Sequence, residues 1–271
     1  MAIFSNQATL TVGGVSVDSN IAYGEILDVL SATKTALEGT YTQNEVVTYV
    51  VTLRNTGNTV LTGLTVTDNL GAYDLNGNTV YPLPYETDTV AVFADGVPQA
   101  TPAVTAGPPL VITGISVPAD GDVVIVYQAR VNAAANPTAQ GIIVNTVTVT
   151  GDGLSAPVTA TETVTAEAAP ALNITKSISP AQVVDNDRVT YTFVITNTGN
   201  TPVIATDNAV ITDTYDPILT NLVVTYNAAT GAFATVAGNV TVPAATYTQD
   251  PVTGIYTVTP GVATLVVTGT I

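Results

Sequence analysis

Hydrophobic and polar positions alternate along most of this chain. The runs VVTYVVTLRN (46–55), GDVVIVYQARV (121–131), IIVNTVTVT (142–150) and RVTYTFVITN (188–197) carry apolar residues at every second position. That period marks strands with one buried face. Val and Thr are frequent in these runs, and their β-branched side chains suit a pleated surface. Gly and Pro clusters separate the runs at strand-length spacing. One stretch, GEILDVLSATKTALEG (24–39), also fits an amphipathic helix. Strand is the better reading from about Val29, because a related stretch, ALNITKSIS (171–179), alternates cleanly.

That relation is part of an internal repeat. Lys34, Tyr49, Asn55 and Asn58 match Lys176, Tyr191, Asn197 and Asn200 at one constant offset, and Asp68 falls opposite Asp213. GDVVIVYQARV matches GVATLVVTGTI (261–271). The N-T-G-N element of each repeat lies between two alternating runs. It predicts a hairpin turn, with Gly57 and Gly199 supplying a positive φ. Many short strands with regular turn signals predict an all-β chain of two tandem immunoglobulin-like β-sandwiches. The expected division is a donor strand and linker at 1–22, a complete repeat at 23–168 and an incomplete repeat at 169–271.

The first repeat continues into IIVNTVTVT, whereas the second stops at Ile271 without that strand. A similar strand stands at the other end, where residues 3–11 read IFSNQATLT. Asn6 corresponds to Asn145. An open sheet edge is a template for a strand from elsewhere. The expectation is therefore that Phe4, Ala8, Leu10 and Val12 enter the open second repeat of another copy. Such a contact is head to tail and builds a homopolymer.

Composition narrows the chemistry. The chain has no His, Cys or Trp, and only 10% of its residues are charged. Imidazole catalysis, thiolate chemistry, disulfides and His or Cys metal ligands are excluded. A net charge of −16 argues against nucleic acid and anionic lipid as partners. No apolar run reaches the roughly 18 residues of a membrane span. No secretory signal pattern is visible, since the first basic residue is Lys34. Asp185, Asn186 and Asp187 lack the full ligand spacing of a calcium loop and read as a tight turn. Tyr81, Tyr85 and Phe93 form the one candidate recognition cluster, and read as loop packing. No metal or cofactor is expected.

Strand parity places three polar residues on apolar faces. Lys34 shares its face with Leu30, Ala32 and Ala36; Asp68 with Leu64, Val66 and Leu70; Asn145 with Ile143, Val147 and Val149. Lys176 and Asp213 repeat the pattern, and Asn6 shares its face with Phe4, Ala8 and Leu10. Unpaired buried charges are costly, so these groups are expected to meet. A desolvated, neutral lysine attacks an asparagine carboxamide that a nearby acid polarises. Ammonia leaves, and a Lys–Asn isopeptide bond remains. The expected bonds are Lys34–Asn145 within a subunit, promoted by Asp68, and Lys176–Asn6 between subunits, promoted by Asp213. Glu162 or Glu45 is the alternative acid in the first repeat. First and last strands are expected to pair in such a sandwich, which brings Lys34 to Asn145. An unreacted Lys–Asp pair with Asn as hydrogen-bond partner is the plainer alternative.

These residues resemble the bacterial surface repeat known as domain of unknown function number eleven. The resemblance lies in Lys34, Val47–Tyr49, Asn55–Asn58, Val66–Asp68 and Asn145–Val149, and in Lys176, Val189–Tyr191, Asn197–Asn200 and Ile211–Asp213. It implies an extracellular stalk or fibre module of bacteria or archaea, without enzymatic turnover. The expected function is a structural subunit of a cell-surface filament. A monomeric stalk or adhesin module is the alternative.

Overall fold

A computed structural model describes residues 2–26, 29–227, 229–230, 236–237 and 240–271. The chain forms two compact units, residues 1–135 with 142–165, and residues 136–141 with 166–271. Among the described residues the only helical element is a turn at Ala205–Asp207. Among the same residues no helix is long and apolar enough to cross a membrane.

The first unit opens with a hairpin. Strands β1 (Ala2–Asn6) and β2 (Thr9–Val12) form one arm, and β3 (Val15–Asp18) and β4 (Ala22–Ile26) the other. β2 pairs with β3 and β1 with β4, both antiparallel. Gly13 and Gly14 turn the chain with φ of 59° and 83°. Both values are positive, as a two-residue turn matched to strand twist requires. At the waist, Ser19 donates its N–H to the Ala8 carbonyl at 2.7 Å and accepts the Ala8 N–H on Oγ at 2.9 Å. The expected single strand and linker are thus two arms of one hairpin.

The body of this unit is a sandwich. Its strands are β5 (Leu30–Ala36), β6 (Thr40–Tyr41), β7 (Val46–Asn55), β8 (Leu61–Asp68), β9 (Tyr73–Leu75), β10 (Asn78–Val80), β11 (Ala91–Ala94), β12 (Val97–Pro98), β13 (Ala103–Thr105), β14 (Leu110–Val117), β15 (Asp122–Arg130), β16 (Ile142–Thr150) and β17 (Val158–Ala166). One sheet runs β12-β11-β15-β7-β5, and the other β13-β14-β8-β16-β17-β6. β7 alternates strictly, with Val47, Tyr49, Val51 and Leu53 buried. The helical alternative for 24–39 is not taken by the strands at its two ends; residues 27–28 lie outside the described ones.

The second unit contains β18 (Leu172–Ser179), β19 (Arg188–Asn197), β20 (Ile211–Thr212), β21 (Thr220–Tyr226), β22 (Ala229–Thr230), β23 (Val236–Ala237), β24 (Thr246–Gln249), β25 (Tyr256–Thr259) and β26 (Gly261–Thr270). Its main sheet, β18-β19-β26-β21-β22, copies the order of the first unit's β5-β7-β15-β11-β12. Its second sheet is a remnant. β20 pairs with β23, and Val203 bridges Val242, as β8 and β14 do in the first unit. Among the described residues nothing stands where β16 and β17 stand, so the gap is two strands wide.

The N-T-G-N elements are not hairpins. β7 and β8 belong to different sheets, so the element crosses the sandwich. Gly57 and Gly199 do not have positive φ. They are glycines because the chain is crowded there: a Cβ on Gly199 would lie 2.3 Å from the Ala169 carbonyl. Asn55 and Asn197 organise the crossing. Asn55 is buried, donates to the Thr59 and Pro118 carbonyls at 2.8 and 2.9 Å, and accepts the Gly57 N–H at 2.9 Å. Asn197 donates to the Thr201 carbonyl and accepts the Gly199 N–H in the same way. Asp185–Asp187 is a turn, closed by the Val184 N–H on the Asp187 carboxylate at 2.9 Å.

Candidate functional site

Lys34, Asp68 and Asn145 come from β5, β8 and β16, and all three are buried. β5 and β16 do not pair. They lie in opposite sheets, and the residues meet across the sandwich rather than along a ladder. The Lys34 ammonium is ion-paired with Asp68 and donates to the Tyr127 hydroxyl at 2.8 Å. Tyr127 donates to the same Asp68 oxygen. Asn145 Nδ2 donates to the Tyr127 hydroxyl at 3.3 Å, so amine and carboxamide share one oxygen as neighbour. The Asn145 Oδ1 accepts the Gly71 N–H at 3.2 Å, and Asp68 Oδ1 accepts the Leu70 N–H at 2.8 Å.

Aromatic rings wall the amine. Its nitrogen lies 4.7 Å from the Tyr49 ring centroid and 5.5 Å from that of Tyr127, and the two rings stack at 5.5 Å. Burial lowers the Lys34 pKa to about 8 from 10.5, against the opposing pull of Asp68 and, more weakly, Glu162. A much larger share of neutral amine is therefore present at neutral pH than an exposed lysine offers. Burial also pushes the Tyr127 phenol well up, which keeps it a hydrogen-bond donor.

Glu162 stands directly opposite Asn145 on β17. Glu45 instead caps a turn, accepting the Thr42 N–H at 2.7 Å. Tyr127 and Gly71 were not singled out in the sequence. Tyr127 was legible, since it is the one hydroxyl on the buried parity of VVIVYQA. Gly71 was not, because its role depends on tertiary crowding. Its φ is +68°, and a Cβ there would lie 2.5 Å from Ile143.

In the second unit Lys176 of β18 meets Asp213, just past β20, with Nζ 2.9 and 2.7 Å from the two carboxylate oxygens. Tyr191, Phe193 and Tyr215 surround the amine at 4.6, 5.3 and 5.5 Å. Tyr191 corresponds to Tyr49, but Val267 stands where the first unit has Tyr127, and Tyr215 supplies a ring from another segment. Burial, with Asp213 next to it, raises the Tyr215 pKa to about 12. The Lys176 side chain keeps 40% of its surface exposed, against 0% for Lys34. Every residue of β18 is exposed, including Leu172, Ile174 and Ile178 at 43–51%. An apolar groove of about 180 Å³ runs beside it, lined by Leu172, Ile174, Ile195, Ile211, Val240 and Val242 among others.

Asn6, Ala8, Leu10 and Val12 lie exposed on the hairpin, and the side chain of Phe4 lies outside the described ones. Tyr81, Tyr85 and Phe93 are engaged within the first unit, with the Tyr81 carbonyl accepting from Asn132 at 2.8 Å. The Tyr85 hydroxyl accepts the Thr89 and Val90 N–H groups, and Phe93 is a strand residue opposite Val124.

No family model matches the chain, and no curated protein matches it. Solved structures with a partial likeness include the full-length major pilin SpaD from Corynebacterium diphtheriae. It is 14% identical, with a TM-score of 0.38 over 61% of this chain and 41% of that one. A C-terminal fragment of the major pilin GBS80 of Streptococcus agalactiae is 12% identical, at 0.37 over 69% and 68%. A family 123 glycoside hydrolase from Clostridium perfringens is 10% identical, at 0.33 over 51% of this chain and 27% of the hydrolase. Pilins and a hydrolase score alike, so the likeness does not single out an activity.

Proposed function

We propose that this chain is the structural subunit of an extracellular filament, assembled head to tail by strand donation and locked by Lys–Asn isopeptide bonds. One observation carries the reading. The chain has an uncovered apolar groove with a Lys–Asp pair in one unit, and in the other an uncovered strand with an asparagine. The first unit shows what a filled groove looks like: β16 covers it and sets Asn145 beside Lys34 and Asp68. The motif resemblance to the surface repeat agrees with this reading.

The bond chemistry follows from the first unit. The neutral Lys34 amine attacks Cγ of Asn145. The Nζ–Cγ bond forms, the Cγ–Nδ2 bond breaks, and ammonia leaves. Asp68 accepts the proton from Nζ and returns one to the departing nitrogen. The Gly71 N–H holds the carboxamide oxygen as it gains charge. Tyr127 keeps amine and amide at one point. The step occurs once per site, with no turnover. At the junction, Asn6 takes the part of Asn145, with Lys176 and Asp213.

The test is electron microscopy of purified protein, with denaturing electrophoresis of the same material. Filaments and a covalent ladder are expected. Deleting residues 1–12 should leave soluble monomers, and filaments that persist in that deletion overturn the reading. Monodisperse wild-type particles favour the monomeric stalk module.

A further inference from the structure

We propose that the donated element is the whole N-terminal hairpin, residues 2–26, rather than its first strand. The proposal rests on the head-to-tail reading above and names what fills the groove. The occupant is the hairpin of a second copy.

Three observations carry it. The first is the size of the gap. In the first unit two strands follow β15: β16 pairs with β8, and β17 with β16. Among the described residues the second unit has neither, and β20 keeps one edge without a ladder partner. A single donated strand restores β16 and leaves a new open edge where β17 belongs. Open edges invite further pairing. A hairpin restores both strands at once.

The second is the hairpin's own surface. Leu10 pairs with Val17, and Val12 with Val15. Parity puts these four on one face, and they are 64–69% exposed. The other face is polar: Thr9 Oγ1 donates to Asp18 at 2.6 Å, and the Thr11 and Ser16 hydroxyls meet at 2.8 Å. One apolar and one polar face is the pattern of a sandwich sheet, here with nothing on its apolar side. Half of that apolar face belongs to the second arm, so donating the first arm alone leaves Val15 and Val17 unused. An isolated two-stranded hairpin is at best marginally stable in water, and an exposed apolar face marks a contact surface.

The third is register. β16 sets Val147 opposite Asp68 and Val149 opposite Val66. Aligning Asn6 with Asn145 and Asp213 with Asp68 puts Ala8 opposite Asp213 and Leu10 opposite Ile211. The apolar face then meets the groove beside β18. Across the first unit's ladder Val149 faces Val158, and across the hairpin Leu10 faces Val17. The match is incomplete below Ala8: the second arm has one residue more between Val17 and Ala22 than β17 has between Val158 and Glu162, and Phe4 faces Gly24 where Ile143 faces Val164. Glu162 faces Asn145, whereas Ala22 faces Asn6. The junction therefore relies on Asp213, with no acid opposite Asn6 on the donated element.

Full-length chains test this. Replacing residues 15–26 by a Gly/Ser segment of equal length keeps the first arm and its tether but removes the second arm. The hairpin proposal expects the concentration needed for assembly to rise on the order of a hundredfold, from the lost burial of Val15 and Val17. The deletion of residues 1–12 should abolish assembly. If the Gly/Ser chain assembles like wild type and the deletion does not, the hairpin proposal is wrong and strand donation stands. If both assemble, strand donation itself is wrong. Should the Gly/Ser chain misfold, hydrogen exchange on the wild type decides. Backbone amides of residues 15–18 must become protected in filaments relative to monomer, and equal exchange in the two forms overturns the proposal.

Discussion

The two units carry the same lysine on the same strand of the same sheet, yet one lysine is sealed and the other is half in water. Lys34 and Lys176 each sit on an edge strand, each over a tyrosine ring, each paired with an aspartate. The difference is the pair of strands β16 and β17. Where they are present, the charges are desolvated, an asparagine is delivered, and the lysine pKa falls. Where they are absent, the sheet keeps its order but not its cover. A desolvated lysine held beside its aspartate and asparagine is thus a property of the closed sandwich, not of the residues alone. The second unit, among the described residues, is a sandwich with one face uncovered.

Assembly is the strongest way to break this comparison. Asn6→Ala or Lys176→Ala is expected to collapse the covalent ladder to monomer on denaturing gels while filaments still form. A ladder that survives both substitutions removes the junction bond. Next in size is Asn145→Ala. It removes the proposed cross-link within the first unit, which would close a long loop, and should cost about 4 kcal/mol in that unit's unfolding. Intact mass checks the chemistry, since wild type should be lighter by one ammonia per bond. A wild-type mass equal to the bare sequence overturns the bond.

A smaller effect separates equivalent positions. Leu30→Ala, in the closed unit, should cost about 2–4 kcal/mol. Leu172→Ala, its counterpart, is half exposed. It should cost under about 1 kcal/mol in the free subunit. Thermal unfolding of the monomeric variants measures both, and the Leu172→Ala cost should grow in filaments. Tyr127→Phe should slow bond formation about tenfold or more, by releasing the amine and amide from their common partner.

The gentlest test is pH. Folding lowers the Lys34 pKa to about 8 from 10.5. The rate of ammonia loss on refolding should rise about tenfold per unit below pH 8 and level off above it. In Asn145→Ala, where Lys34 stays free, the folded form binds fewer protons than the unfolded between about 8 and 10.5. Stability should therefore increase with pH from about 8 to 9, above which the phenols that folding holds up, Tyr49, Tyr127 and Tyr215 among them, reverse the slope. A flat stability profile there shows that Lys34 is not desolvated.

Much of this was legible in the chain itself. Alternation located β7, β15, β16 and β19, and parity put Lys34, Asp68 and Asn145 on core faces. The repeat related the two units residue by residue. The N-T-G-N elements were misread because a turn signal reports a reversal, not which sheet the next strand joins. The second arm of the hairpin has its own turn signal in TLTV-GG-VSVD. Only the first arm shares the N-x-x-x-[LV] spacing of β16, so the repeat relates that arm alone to the first unit.

By itself, then, the sequence determined strand positions, inward faces and the duplicated Lys–Asp pattern, because a period of two and a constant offset are local and additive. Tertiary structure decided the rest. Tyr127 and Gly71 became partners of Asn145 only when two sheets closed over them. Lys34 shed its solvent while Lys176 kept part of its own, because burial depends on which strands lie on top, and a strand's pattern names the face it buries but not what covers it.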